Sequence, residues 1–192
     1  MYTGPSCSIC ALPLSSEHAR ACRSCVQDPP HFSKVLSFGL YDGVLAEAIH
    51  HLKFHGRKRL SVPLGTMMLA LDIPRADGIV PVPLTRASLI KRGFNQSLLI
   101  ARVIARELGI PLRMDSLHKK RETLPQVGLS ATERRTNLRG AFGVHDDIRG
   151  QQLLLVDDVM TTGATVRECA KTLVRSGARE VIVLTLARAG EP

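Results

Sequence analysis

The chain has 192 residues, 44% hydrophobic and 22% charged, which suits a folded protein with one good core and room for a small appendage. No stretch reaches the roughly 18 uncharged apolar residues of a membrane span, and Met1-Tyr-Thr-Gly-Pro-Ser-Cys7 lacks the basic start and apolar centre of a signal peptide, so a cytoplasmic protein without membrane insertion is expected. Net charge is +9, and residues 78–139 hold 12 Lys/Arg against 4 Asp/Glu, a concentration that favours anionic partners such as pyrophosphate, nucleotides or nucleic acid but also fits a solvated basic surface.

Four of the five cysteines fall in the first 25 residues, as Cys7-Ser-Ile-Cys10 and Cys22-Arg-Ser-Cys25. Each Cys-x-x-Cys pair places two thiolates on one metal from a tight knuckle, and two knuckles complete the tetrahedral shell of a structural Zn2+ site. Cys7, Cys10, Cys22 and Cys25 are the expected ligands, with no position left for a catalytic water. The segment has few apolar residues, so a bound metal would supply folding energy that so small a core does not. A reducing cytosol disfavours disulfides. A redox Cys-x-x-Cys is expected to open a helix after a strand, which neither pair does by sequence. His18, between the pairs, is an alternative ligand or a surface residue. Residues 1–30 are read as this zinc-binding module and residues 31–192 as a second domain, joined at Pro29-Pro30.

Beyond the linker, residues 34–41 have strand character and Gly43 closes the turn. Residues 44–54 carry Leu45, Ile49 and Leu52 at helical spacing, and residues 60–71 predict a second helix with Pro63 near its first turn. Residues 78–83 read as a short buried strand. Residues 95–108 form a strong helix with Leu99, Val103 and Ile104 on one face and Gly109 placed as its C-terminal cap. Residues 117–140 are polar, basic and weakly periodic, which predicts a long loop or lid. Residues 153–156 predict a strand, 166–174 a helix capped by Gly177, and 181–186 a further strand. Cys169, alone on that helix, is read as a small buried apolar side chain. Alternating helices and uniformly apolar strands imply an α/β fold with a parallel sheet flanked by helices.

The most informative unit is Leu153-Leu-Leu-Val-Asp-Asp-Val-Met-Thr-Thr-Gly-Ala-Thr165. In open α/β sheets ligands sit beyond the carboxyl ends of the strands. There a Thr/Gly turn directs N–H groups and hydroxyls of Thr161, Thr162 and Thr165 inward, with Gly163 and Ala164 allowing close approach. The positive end of the following helix completes a phosphate cradle. Carboxylates are poor phosphate ligands, so Asp157 and Asp158 suit neighbouring ribose hydroxyls. A helix-capping turn explains one Thr or one Asp, but not two acids followed by three threonines around a glycine.

These residues resemble the phosphoribosyl pyrophosphate (PRPP) motif of type I phosphoribosyltransferases. Further segments are similar to the ComF family of bacterial competence-associated proteins, which includes GntX-like members. They are Leu52-Lys-Phe-His-Gly56, Val80-Pro-Val-Pro-Leu84, Lys91-Arg-Gly-Phe-Asn-Gln96, Arg121-x-Thr-x-x-Gln126, Leu129 and Arg134-x-x-Asn137, together with the two cysteine knuckles. The resemblance covers essentially the whole chain. It implies a type I phosphoribosyltransferase-like sheet behind a small four-cysteine zinc module, and PRPP bound with Mg2+. By position, Pro83, Leu84 and Thr85 match the loop that holds pyrophosphate, and residues 119–126, with Arg121, match a basic flexible loop. Lys91 and Arg92, with Asp157 and Asp158, are the implied catalytic residues, the cations stabilising charge on the leaving pyrophosphate. Lys53, His55, Arg57 and Lys58 form a second basic cluster that suits pyrophosphate, nucleic acid or a solvated helix end.

The resemblance implies natural competence and DNA uptake, with phosphoribosyl transfer to an unidentified acceptor as one activity. Single-stranded DNA and a competence helicase are the implied partners of a non-catalytic alternative, and nucleotide sensing is a third reading. With no Trp, two Tyr and five Phe, DNA contacts would rest mostly on the backbone and be strongly salt-dependent. Phe54 and Phe94, flanked by basic residues, are candidates for stacking or for burial.

Overall fold

The computed structural model describes residues 2–16, 18–121, 123 and 131–190. Gln126 and Leu129 lie outside the described residues, as does the Arg134 side chain, and with them half of the basic loop expected at residues 119–126.

In chain order the elements are α1 (Arg23–Gln27), β1 (Lys34–Leu40), α2 (Gly43–Phe54), a 3-10 turn (Lys58–Leu60), α3 (Ser61–Met68), β2 (Gly78–Pro81), α4 (Arg86–Arg92), α5 (Gln96–Leu108), β3 (Leu117–Lys119), α6 (Ala131–Leu138), β4 (Phe142–Val144), β5 (Gln152–Met160), α7 (Ala164–Arg175) and β6 (Glu180–Arg188). Four strands form a parallel sheet in the order β1-β6-β5-β2, with β5 and β6 in register from Gln152↔Glu180 to Met160↔Arg188. The central strands are apolar throughout because both their faces are covered. Leu154, Val156, Ile182 and Leu184 pack with Ile49 and Leu52 of α2, Leu64 and Met68 of α3, and Ile100 and Ile104 of α5. On the other face, Leu153, Leu155, Val181 and Val183 pack with Cys169 and Leu173 of α7 and with the four N-terminal cysteines.

The expected α/β architecture is therefore present, with local differences. Gly43 opens α2 instead of closing a turn. Residues 117–140 are not one loop: β3 and β4 pair antiparallel, Leu117 opposite Val144, and α6 lies between them in the chain. Three-residue strands are too short to show a period, which is why the sequence reads as irregular there. The sequence reading also misses α4. Its signals are present: the Thr85 hydroxyl accepts from the Ser88 N–H at the N-cap, and Gly93 takes a left-handed conformation (φ 74°) at the C-cap.

Among the described residues no helix is long and apolar enough to cross a membrane.

Candidate functional site

β5 continues through the acidic pair instead of ending before it, because Asp157 pairs with Thr185 and Val159 with Ala187 of β6. Both carboxylates are consequently buried, Asp157 to 8% and Asp158 to 2% of full exposure. Each is held in place. Asp157 Oδ1 accepts from Ser97 Oγ at 3.1 Å and from the Asp158 N–H at 2.9 Å. Asp158 Oδ1 accepts from the Val159 N–H at 2.9 Å, and its Oδ2 lies 2.9 Å from Lys53 Nζ. Ser97 is positioned by the cap of α5, where the Asn95 side chain accepts from the Ser97 and Leu98 N–H groups and donates to the Val82 carbonyl. Burial, and then the Asp158 charge, push Asp157 up to about 7 against the opposing pull of Lys53, the Asp158 N–H and Ser97.

The turn after β5 forms one wall of a cleft of about 290 Å3, which Asp157, Lys53, Tyr41 and Phe54 also line. Thr161, Thr162, Gly163, Ala164 and Thr165 all face it. Gly163 is the N-cap of α7 at φ 77°, a left-handed conformation in which any side chain would be strained, so the turn favours glycine. A twelve-residue helix thus starts at the cleft with its positive end toward it. Asp157 and the Thr/Gly turn thus share a single cavity, whereas Asp158, 2% exposed and paired with Lys53, does not line it.

Pro83, Leu84 and Arg121 instead line a second and larger cleft of about 970 Å3 on the β2 side, with Lys119 and Lys120. Arg121 donates to the carbonyls of Asn137, in the last turn of α6, and Arg139, just past it, at 2.9 Å each. The Thr85 hydroxyl is engaged with Ser88 in the cap of α4. Lys91 and Arg92 stand on the last turn of α4 and line neither cleft. Arg92 donates to Gln96 Oε1 and lies 5.5 Å from the Phe54 ring centroid. Phe94 is buried and Phe54 is 63% exposed, so the two aromatic candidates divide. Lys53, ambiguous by sequence, turns inward onto Asp158. Ser97 has no sequence signal of its own, although the strong cap at Asn95 fixes its place.

The four N-terminal cysteines are buried, and their sulfurs all lie within 4.8 Å of one another. Cys10 and Cys22 are 3.6 Å apart, and the Cys22 N–H donates to Cys7 Sγ at 3.3 Å. Tetrahedral Zn2+ with bonds of about 2.3 Å needs sulfurs about 3.8 Å apart, so the donor set fits. Burial raises Cys7, but N–H groups of Cys22, Cys10 and Ile9 outweigh it and lower the thiol to about 7. Burial and neighbouring thiolates push Cys25 far up, the repulsion that a shared cation relieves. His18 is exposed and outside the cluster. Cys22 caps α1, so the second pair does open a short helix, but no strand leads into it.

Residues 95–192 match the phosphoribosyl transferase domain family. Over 192 residues the chain is 35% identical to the DNA utilization protein YhgH of Escherichia coli (strain K12), covering 95% of this chain and 83% of that one. It is 32% identical to competence protein F of Haemophilus influenzae (96% and 85% covered) and 27% identical to competence protein ComFC of Bacillus subtilis (97% and 79%). The chain belongs to the ComF family, whose fold is that of the phosphoribosyltransferases. The same fold occurs in glutamine PRPP amidotransferase from B. subtilis, with TM-score 0.51 and 23% identity over 72% of this ComF chain. This chain spans 30% of that enzyme's length.

Two outcomes follow from the geometry. Chelating metal from the reduced ComF protein is expected to raise hydrogen exchange across residues 7–25 while β5 and β6 stay protected; freshly purified protein without metal would end the zinc assignment. Asp157 binds a proton more tightly folded than unfolded, so its ionisation costs stability as pH rises from about 4 to 7. Asp157→Asn is therefore expected to raise Tm above pH 7, with a gain that vanishes below about pH 4, as measured by thermal melts across pH.

Proposed function

We propose that the 290 Å3 cleft binds PRPP with Mg2+ and that the protein transfers the phosphoribosyl group to a nitrogen acceptor. The observation that carries this reading is one cavity lined by Asp157 of the buried carboxylate pair, the Thr/Gly turn and the N-terminus of α7. The 5′-phosphate sits on the N–H groups and hydroxyls of residues 161–165, and Asp157 and Asp158 accept hydrogen bonds from the ribose hydroxyls. In the transfer, the C1–O bond to pyrophosphate breaks, a C1–N bond forms, and the acceptor nitrogen loses its proton to solvent. Mg2+ would neutralise charge on the pyrophosphate. Lys91 and Arg92, at the end of α4, and Arg121, Pro83 and Leu84, in the second cleft, are the residues assigned to the leaving group. Lys53 keeps a cation against Asp158, so one carboxylate of the pair stays paired when the site is empty of substrate.

Relatives named for competence and DNA utilization support a setting in DNA uptake. Zn2+ on Cys7, Cys10, Cys22 and Cys25 is structural in this reading, and residues 1–30 form its module. A second reading, a non-catalytic factor for single-stranded DNA beside a helicase, is favoured by the larger cleft. Among the described residues, Lys58, Arg86, Arg102, Lys119, Lys120 and Arg121 line it against one acid, Asp115, which suits a phosphate backbone.

Calorimetric titration with Mg2+–PRPP tests the first reading. Binding is expected in the wild type and lost in the Asp157→Asn, Asp158→Asn double variant with the fold intact by circular dichroism; unchanged affinity in that variant would sink the site assignment. For the second reading, affinity for oligo(dT) is expected to fall steeply with salt, each phosphate contact adding about −0.7 to the log–log slope. A salt-independent affinity, or none, would reject it.

A further inference from the structure

Arg188, the last residue of β6, is 5% exposed. Among the described residues no carboxylate pairs with it; its guanidinium bonds the carbonyl of the adjacent Ala189 at 2.8 Å and carbonyls from two distant parts of the chain. Nε donates to Cys10 O at 3.1 Å, inside the first cysteine knuckle. Nη1 donates to Met160 O at 2.9 Å and to Thr161 O, on the strand-exit side of the phosphate-binding turn. A second arginine links the cysteine module to the helix that follows the turn, here with a carboxylate, Asp28, 3.5 Å away. Arg167 lies on the first turn of α7, where its N–H donates to Gly163 O at 2.9 Å. Its Nη2 is 3.5 Å from Cys25 Sγ, and its Nη1 donates to Asp28 O at 2.7 Å. The Arg188 side chain thus holds the strand-exit end of the turn, and the Arg167 side chain ties the helix that follows the turn to the cysteine module.

A buried guanidinium without a carboxylate partner is costly unless its donors are satisfied and its charge is used. Here both conditions fall between two anionic sites. Four thiolates on one divalent ion carry a net charge of two minus, and a phosphate in the turn carries a comparable charge. Each would stabilise the same guanidinium from opposite sides. Because the carbonyls of Cys10, Met160 and Thr161 share one rigid donor plane, the knuckle and the turn also constrain each other's backbone.

We propose that Arg188, seconded by Arg167, is a positioning residue through which the four-cysteine module holds the phosphate-binding turn, so that metal in the cysteines and PRPP in the cleft favour each other's binding. This rests on the PRPP reading of the cleft. Linkage makes the coupling reciprocal: metal raises PRPP affinity by the same factor by which PRPP raises metal affinity.

The test uses the full, reduced, zinc-loaded chain. Zinc release to a chromogenic chelator is followed with and without saturating Mg2+–PRPP, and PRPP affinity is measured by calorimetry in parallel. Release is expected to slow about tenfold with PRPP, within the usual range of coupling energies. In Arg188→Lys, which keeps the charge but not the planar fork, zinc content is expected to persist while the effect of PRPP on release falls to within twofold. Arg167→Met, at a half-buried position on α7, provides a second variant with a smaller loss of the same effect. Zinc-loaded protein that binds PRPP but releases zinc at the same rate with and without it would overturn the coupling and leave the PRPP reading standing. A full PRPP effect in both arginine variants would overturn the role of these residues. Folded, zinc-loaded protein that binds no PRPP would overturn the PRPP reading, and the coupling with it.

Discussion

Two adjacent carboxylates buried at the carboxyl end of a central strand are the constraint to which the surrounding structure answers. Continuing β5 past Val156 secures its ladder to β6 but draws Asp157 and Asp158 out of water. Two bare charges there would be intolerable, so each carboxylate has designated neighbours: Ser97 and a backbone N–H for Asp157, Lys53 and a backbone N–H for Asp158. Those neighbours come from α5 and α2, which otherwise only cover the sheet. Their end positions follow from this requirement, as the cap of α5 shows by tying Ser97, Asn95 and the exit of β2 into one chain of hydrogen bonds.

The turn that follows has the opposite electrostatic character. Gly163 at φ 77° and the start of α7 present N–H groups where β5 has just presented carboxylates. Acceptors and donors lie a few residues apart along a single cavity. A ligand that is hydroxylated at one end and phosphorylated at the other satisfies both, whereas a plain phosphate or a plain sugar satisfies only one. That juxtaposition, more than any single residue, distinguishes the cleft from an ordinary αβ turn.

Much of this was legible in the sequence because it depends on local rules. The apolar runs of β5 and β6, the 3.6-residue spacing of α5 and the Gly109 cap are properties of short windows, and they correspond to observed elements. The paired knuckles announced a four-sulfur cluster, since spacing within and between Cys-x-x-Cys pairs limits what they can do together. The failures are equally physical. β3 and β4 are three residues each and owe their existence to one another across more than twenty positions, so no window contains the reason for them. α4 was overlooked because its seven residues bury none of their side chains, leaving only its caps as evidence.

Lys53 marks the boundary of what sequence can say about the site. Its setting, Leu52-Lys-Phe-His-Gly56 at a helix end, is that of a solvated cation, and the basic residues around it reinforce that impression. What reverses the reading is an acid 105 positions later, brought to 2.9 Å by the packing of α2 on the sheet. Arg188 poses the same problem from the other end of the chain. As the last residue of an apolar strand it looks like a charge leaving the core for solvent, yet its partners are Cys10, Met160 and Thr161. In both cases a long, flexible cation crosses from one structural layer to another to meet a polar group that the parallel sheet has buried. Such residues carry no motif of their own, because their partners are fixed by tertiary packing alone. They are also the places where a substitution that preserves every recognisable signature would still change how the site is held.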